Sequence, residues 1–310
     1  MDFYVVLTNI GTLFLLMIVG YLSGKTNIVN KNSTSDLSEL LVNVTLPANI
    51  FVAMLQPYNP LLLTDSFVIA GITFVFLIAC AFVSYHLTKF AGINDADRGV
   101  WIVASTFSNN AFMGYPIVYS IFGEDGLFIA SMMGIAYSLL FFTLGAKMMC
   151  AGIEENDKLD IKKLLFSNIT IATYIGFFFF ITQIQLPEII VNMFNLLGSI
   201  TTPLAMFIIG LIISKSSNLK EMFDDPKLFI LSSIRLLIMP LIVMLIMNIL
   251  PFRSDSLVPS IMVVITAMPV ASTTTILAEK YKGNTMLSAK IILITNLMCL
   301  ITIPIICMLI

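Results

Sequence analysis

Charge is what this 310-residue chain has least of: 11% of its residues are Asp, Glu, Lys or Arg, against about 25% in soluble domains. With 58% hydrophobic residues and a mean hydropathy of +1.00, a soluble fold would lack the polar material to cover its surface. The composition therefore describes a polytopic membrane protein. Histidine occurs once, which excludes HExxH and multi-histidine metal sites, and no Walker or GxGxxG loop is present. No metal site and no cofactor is expected. No basic tract reaches the density nucleic acid requires. The four cysteines, Cys80, Cys150, Cys299 and Cys307, form no CxxC pair and read as small hydrophobes. The start, Met1-Asp2-Phe3-Tyr4, lacks the basic region of a signal peptide, so the first apolar stretch is expected to be retained as a helix. Asn94-Asp95-Ala96-Asp97-Arg98-Gly99 opens like a calcium loop but lacks the ligand at the twelfth position, and reads as a charged cytoplasmic turn.

A membrane-spanning helix needs about 20 mostly apolar residues. Ten stretches qualify, at roughly 4–23, 37–56, 65–86, 99–122, 126–147, 164–185, 188–214, 228–250, 256–278 and 287–309. Of the 16 basic residues, 14 then fall on one side; Arg253 falls on the other, and Arg235 lies inside the eighth stretch. Basic loops stay in the cytoplasm, so both termini are expected outside and the 151–163 loop inside, in the cell membrane.

Five stretches precede that loop and five follow it, so a repeat between the halves must be inverted. Val44-Thr45-Leu46-Pro47-Ala48-Asn49-Ile50-Phe51 matches Ile200-Thr201-Thr202-Pro203-Leu204-Ala205-Met206-Phe207 in the equivalent stretch of the second half. The fourth and ninth stretches, also equivalent, are both interrupted. One carries Ser108-Asn109-Asn110-Ala111-Phe112-Met113-Gly114-Tyr115-Pro116, the other Met268-Pro269-Val270-Ala271-Ser272-Thr273-Thr274-Thr275. In hydrocarbon, backbone groups freed by a break find no water. Paired interruptions in an inverted repeat mark the binding site of a secondary transporter.

The residue types at these breaks suit an anion. A broken helix presents backbone N–H groups at its new N-terminus, where a negative charge is favoured. Pro116 and Pro269 each remove a donor, and Gly114 permits close approach. The Asn109 and Asn110 amides both donate and accept, and Ser272, Thr273 and Thr274 add hydroxyls. Span interiors carry no Asp or Glu near their centres, so a carboxylate-based proton relay or sodium site is not visible. Proton or sodium coupling through hydroxyls and carbonyls stays open. Arg235 reads either as a side chain snorkelling to the interface or paired with an acid, or as a counter-charge for an anionic substrate. His86 reads as an interfacial residue.

Taken together, the Asn109…Met113-Gly114-Tyr115-Pro116 stretch, the Met268-Pro269…Ala278-Glu279-Lys280-Tyr281 stretch and the Leu46-Pro47 and Thr202-Pro203 segments resemble the auxin efflux carrier family, over nearly the whole chain. That family includes plant PIN-type carriers and bacterial carboxylate permeases. The resemblance implies an all-α membrane fold of ten transmembrane helices, two inverted five-helix repeats (1–150 and 164–310), with helices four and nine crossing at their breaks. Helices 1, 2, 6 and 7 would form a scaffold with a homodimer contact, and helices 3–5 and 8–10 a moving transport domain. It also implies that Asn109 binds the substrate carboxylate at the crossing and that the region of Pro47 and Asn49 faces the site. Plant carriers have a second proline near the position of Thr274, which puts auxin itself in doubt; the hydroxyl-rich run favours a small hydrophilic carboxylate. The expected function is secondary transport of small organic anions, such as malate, malonate or auxin-like acids, and not enzymatic catalysis. The alternatives are a cation or proton exchanger of similar architecture and a ligand-gated channel or sensor.

Overall fold

The computed structural model describes residues 3–30, 33–151, 168–214 and 226–310. The expected central loop, apart from Ala151, and the start of the sixth apolar stretch lie outside the described residues. The described chain is helical: α1 (Phe3–Lys25), α2 (Ser33–Ala53), α3 (Pro60–Phe90), α4 (Asp95–Thr106), α5 (Asn110–Met149), α6 (Asn168–Thr182), α7 (Glu188–Ser214), α8 (Pro226–Ile249), α9 (Val258–Thr266), α10 (Thr274–Lys280) and α11 (Thr285–Met308). Six of them, α2, α3, α5, α7, α8 and α11, are long and apolar enough to cross a membrane. Among the described residues no strand forms. Large apolar side chains such as Phe74, Val75, Phe82 and Phe90 on α3 stay exposed, as the outer surface of a membrane protein requires.

The interrupted stretches are the two that the sequence singles out. Helix α4 ends at Thr106, and α5 restarts at Asn110. Helix α9 ends at Thr266, and α10 begins at Thr274. The segment Asn94–Gly99, expected as a charged turn, instead carries the first turn of α4. Asp95 and Asp97 lie in that first turn, where negative charge meets the positive end of the helix dipole.

Proline acts differently from a simple break at three of its positions. The turns Leu41–Thr45, Asn110–Gly114 and Ile234–Ile238 are widened to π geometry. Each lies just ahead of a proline at the second position of the next regular segment: Pro47, Pro116 and Pro240. A proline has no N–H for the carbonyl four residues back and clashes with it; a wider turn moves that carbonyl aside. Pro116 thus shapes the start of α5, and the break itself falls earlier, at residues 107–109.

Helix α5 is bent back on itself. Gly123 sits at φ 66° and ψ −152°, a region open essentially to glycine alone. The Tyr137 hydroxyl reaches the carbonyl of Ser108, 29 residues away; an unbroken helix of that length would span about 43 Å. The reversal at Gly123 makes the contact geometrically accessible.

Helices α1 and the second half of α7 pack along each other with backbones in contact. A β-carbon on Gly20 would overlap the Phe207 carbonyl, and one on Gly210 would overlap the Met17 carbonyl. Small residues at such positions let membrane helices gain dispersion contacts where lipid offers no hydrophobic drive.

Candidate functional site

The two breaks meet. Ser108 and Val270 form an antiparallel bridge, with Asn109 N–H donating to the Pro269 carbonyl at 2.8 Å and Ala271 N–H donating to the Phe107 carbonyl at 3.2 Å. Backbone groups freed by each break are therefore satisfied by the other, which removes the penalty of interrupting a helix in hydrocarbon. The crossing also lies on a seam between two packed cores. Met113, Tyr115, Ile265 and Met268 belong to one, while Phe107, Tyr137, Val270 and Ala271 belong to the other.

Asn109 and Asn110 divide the work. The Asn109 side-chain oxygen caps α5 by accepting from Phe112 N–H at 3.3 Å, and its amide donates to the Ser272 hydroxyl at 3.1 Å. Asn109 is a clamp between the breaks, through side chain and backbone alike. The Asn110 oxygen accepts from the Ser108 hydroxyl at 3.1 Å. Its amide nitrogen is buried with no hydrogen-bond partner, as is the hydroxyl of Thr274. A buried unpaired polar group costs about 1–3 kcal/mol, so these two atoms are the ones suited to a polar ligand.

The remaining predicted residues fall in three places. Pro269 is in the crossing, and Ser272 and Thr273 are half-buried beside it. Gly114 lets the wide turn approach α9: an added β-carbon would lie 2.8 Å from Ile265 Cδ1 and 3.6 Å from Met268 Cγ. Pro47 and Asn49 lie on α2. Asn49 lines a separate cavity of about 260 Å³ together with Tyr119, Glu124, Asn195 and Ser199.

Arg235 is the one charged residue among the described buried ones, with 1% of its surface exposed. It neither snorkels nor pairs: its three guanidinium nitrogens have no hydrogen-bond partner. Its electrostatic neighbours are Tyr137 and Cys80.

Two contributors carried no sequence signal. Tyr137, from the far arm of α5, donates to the Ser108 carbonyl, and Thr295 of α11 accepts from Val270 N–H at 3.3 Å. Tyr137→Phe is expected to lower stability by about 1 kcal/mol, the net worth of one hydrogen bond, because Asn110 N–H still donates to Ser108 at 3.0 Å. Thermal unfolding in detergent measures it; a loss of several kcal/mol would mean the hydroxyl holds more than this carbonyl.

Residues 5–307 match the family model described as membrane transport protein. The chain belongs to this membrane transport protein family, the auxin efflux carriers. Similar proteins in this family include an uncharacterized transporter of Methanocaldococcus jannaschii, 24% identical over 93% of this chain and 94% of the relative. Another from Methanothermobacter thermautotrophicus is 24% identical over 94% of each chain. The uncharacterized transporter YfdV of Escherichia coli is 20% identical over 94% of this chain and 93% of the relative. Membership of the auxin efflux carrier family makes this a multi-pass membrane transporter, and the crossed, broken helices are its most specialised feature.

Proposed function

We propose that this carrier is a secondary transporter of small organic anions, mono- or dicarboxylates, working by alternating access. The observation that carries the reading is the crossing itself: two helix breaks paired to each other, with the Asn110 amide and Thr274 hydroxyl buried and unpartnered beside them. A polar ligand there gains hydrogen bonds already desolvated on the protein side. Charge supports an anion. Arg235 is buried, and no Asp or Glu is buried among the described residues, whereas a cation exchanger needs anionic ligands.

In this reading the chain forms two inverted five-helix repeats, 1–150 and 164–310, with both termini outside and the short loop in the cytoplasm. The equivalent positions of the two breaks and the Pro47 and Pro203 segments support the repeat. Helices 1, 2, 6 and 7 form the scaffold, which the close α1–α7 packing favours; that scaffold carries the homodimer contact, and the other six move as an elevator. Asn109 and Asn110 form the carboxylate site, Asn110 through its free amide and Asn109 by exchanging its Ser272 contact for the ligand; Gly114, Pro116 and Pro269 shape the crossing, and Ser272 to Thr274 line the pocket. Pro47 and Asn49 form the facing wall, and transport runs either as uniport or coupled to a proton or sodium gradient.

The test is uptake into proteoliposomes of a panel of radiolabelled mono- and dicarboxylates, with and without proton and sodium gradients. Saturable uptake of at least one carboxylate is expected. Linear, non-saturating flux would point to a channel, and binding without flux to a sensor; either result overturns the transporter reading.

A further inference from the structure

Arg235 presents a sharper problem than the crossing. It sits in the widened turn Ile234–Ile238 of α8, a turn packed against α11, and is fully enclosed by protein. Guanidinium stays protonated in essentially any protein environment and offers five N–H donors in a rigid fork. Here Nε, Nη1 and Nη2 all lack a partner. The neighbouring ionisable side chains, Tyr137 and Cys80, are neutral at pH 7. Buried charges are otherwise paired or bound to a counter-ion. Ion pairs elsewhere in the described chain include Arg98–Asp95 and Arg253 with Asp65 and Asp255.

Tyr137 ties this cation to the crossing, since its hydroxyl donates to the Ser108 carbonyl within the bridge. The α11 helix does so from the other side: it packs on the Arg235 turn, and its Thr295 accepts from Val270 N–H. Helix α11 thus links the turn that carries the cation to the crossing.

We propose that Arg235 holds one negative charge inside the helix bundle, supplied by a single carboxylate or by a small inorganic anion such as chloride. The site has a valence of one, because no second buried cation is present among the described residues. A monoanion neutralises it, while the second charge of a dicarboxylate would stay uncompensated in a low-dielectric interior. This deepens the organic-anion reading, and only its carboxylate arm rests on that reading.

Binding without transport separates the two. Purified wild type, Arg235→Gln and Arg235→Lys are titrated with sodium chloride, sodium acetate or sodium malonate, with sodium HEPES holding ionic strength constant, and thermal unfolding is followed. A ligand that binds only the folded state raises its midpoint as concentration passes the dissociation constant. The wild-type midpoint is expected to rise with chloride or acetate, more than with malonate, and the Arg235→Gln midpoint to stay flat. A rise with acetate alone identifies a carboxylate as the charge, and a rise with chloride identifies a resident inorganic anion. Should Arg235→Gln not fold, Arg235→Lys carries the test: a compact ammonium without the fork should need about tenfold more anion. No rise in wild type, an equal rise in Arg235→Gln, an unchanged concentration dependence in Arg235→Lys, or a larger rise with malonate than acetate each overturns the one-charge site. Carboxylate uptake with none of these shifts would leave the transport reading standing and remove this one.

Discussion

Asn109→Ala is expected to abolish saturable carboxylate uptake while leaving protein abundance close to wild type. Alanine deletes the cap on Phe112 N–H and the bond to the Ser272 hydroxyl, but keeps the backbone bond to the Pro269 carbonyl. Loss of an N-cap costs about 0.5–2 kcal/mol, which a well-packed membrane bundle tolerates. Function is more exacting, because a displacement of about 1 Å in a positioned group removes most of what it contributes. The substitution frees Ser272 and the start of α5 together, so the two breaks lose their side-chain register. Asn109→Asp keeps the capping oxygen, loses the donor and adds a negative charge facing an anion; it is expected to be equally inactive. Initial uptake rates in proteoliposomes, normalised to reconstituted protein, measure both. Wild-type uptake by Asn109→Ala would remove this residue from the site.

Gly20→Val is expected to cost more than any substitution at the crossing, and to cost it in folding. A β-carbon at residue 20 would overlap the carbonyl of Phe207, and reciprocally a β-carbon at Gly210 would overlap the Met17 carbonyl and lie 2.7 Å from Tyr21 N. These obstacles are backbone, which cannot rotate away, so α1 and α7 must separate along their length. Overpacking commonly costs about 1–3 kcal/mol; with a whole helix pair spread apart, the loss should reach or exceed about 3 kcal/mol at the top of that range. Gly11→Val is the control, since nothing lies within 4 Å of a β-carbon there. Size-exclusion profiles and thermal midpoints in detergent read the difference. Equal behaviour of the two variants would mean that α1 and α7 do not rely on this contact.

Parts of the site were readable along the chain because their signals are local. Pro269 and the Ser-Thr-Thr-Thr run disturb helix chemistry within a few residues, and Asn109 and Asn110 stand out because adjacent amides are costly in hydrocarbon. Pro116 is readable as a disturbance, though not as the exact place of the extended segment. Its effect is a widened turn over Asn110–Gly114, while the extended break at residues 107–109 is held by pairing with the other segment. That pairing is non-local: Ser108 and Asn109 mark a disturbance, but nothing beside them identifies Pro269 to Ala271 as the partner. Asn49 shows the same limit: its sequence neighbourhood matches the equivalent stretch of the second half, but the cavity it lines with Tyr119 and Asn195 is assembled from distant segments.

The split of roles between the asparagines also required the structure. Both have the same side chain and the same local context, so donor capacity alone ranks them equally. Only the positions of Ser272 and Ser108 decide that the Asn109 amide is occupied and the Asn110 amide free.

The sequence by itself determined that this is a membrane transporter with two interrupted helices, because hydropathy, charge placement and breaks are properties of short segments, and because its match to the auxin efflux carriers runs along nearly the whole chain. Tertiary structure decided which freed groups satisfy one another, that Tyr137 reaches the crossing, and that Arg235 is enclosed without a partner. Those facts depend on residues as far apart as 108 and 270 being brought together. A hydrogen bond or an unpaired charge is a relation between atoms across space, and only packing determines which atoms those are.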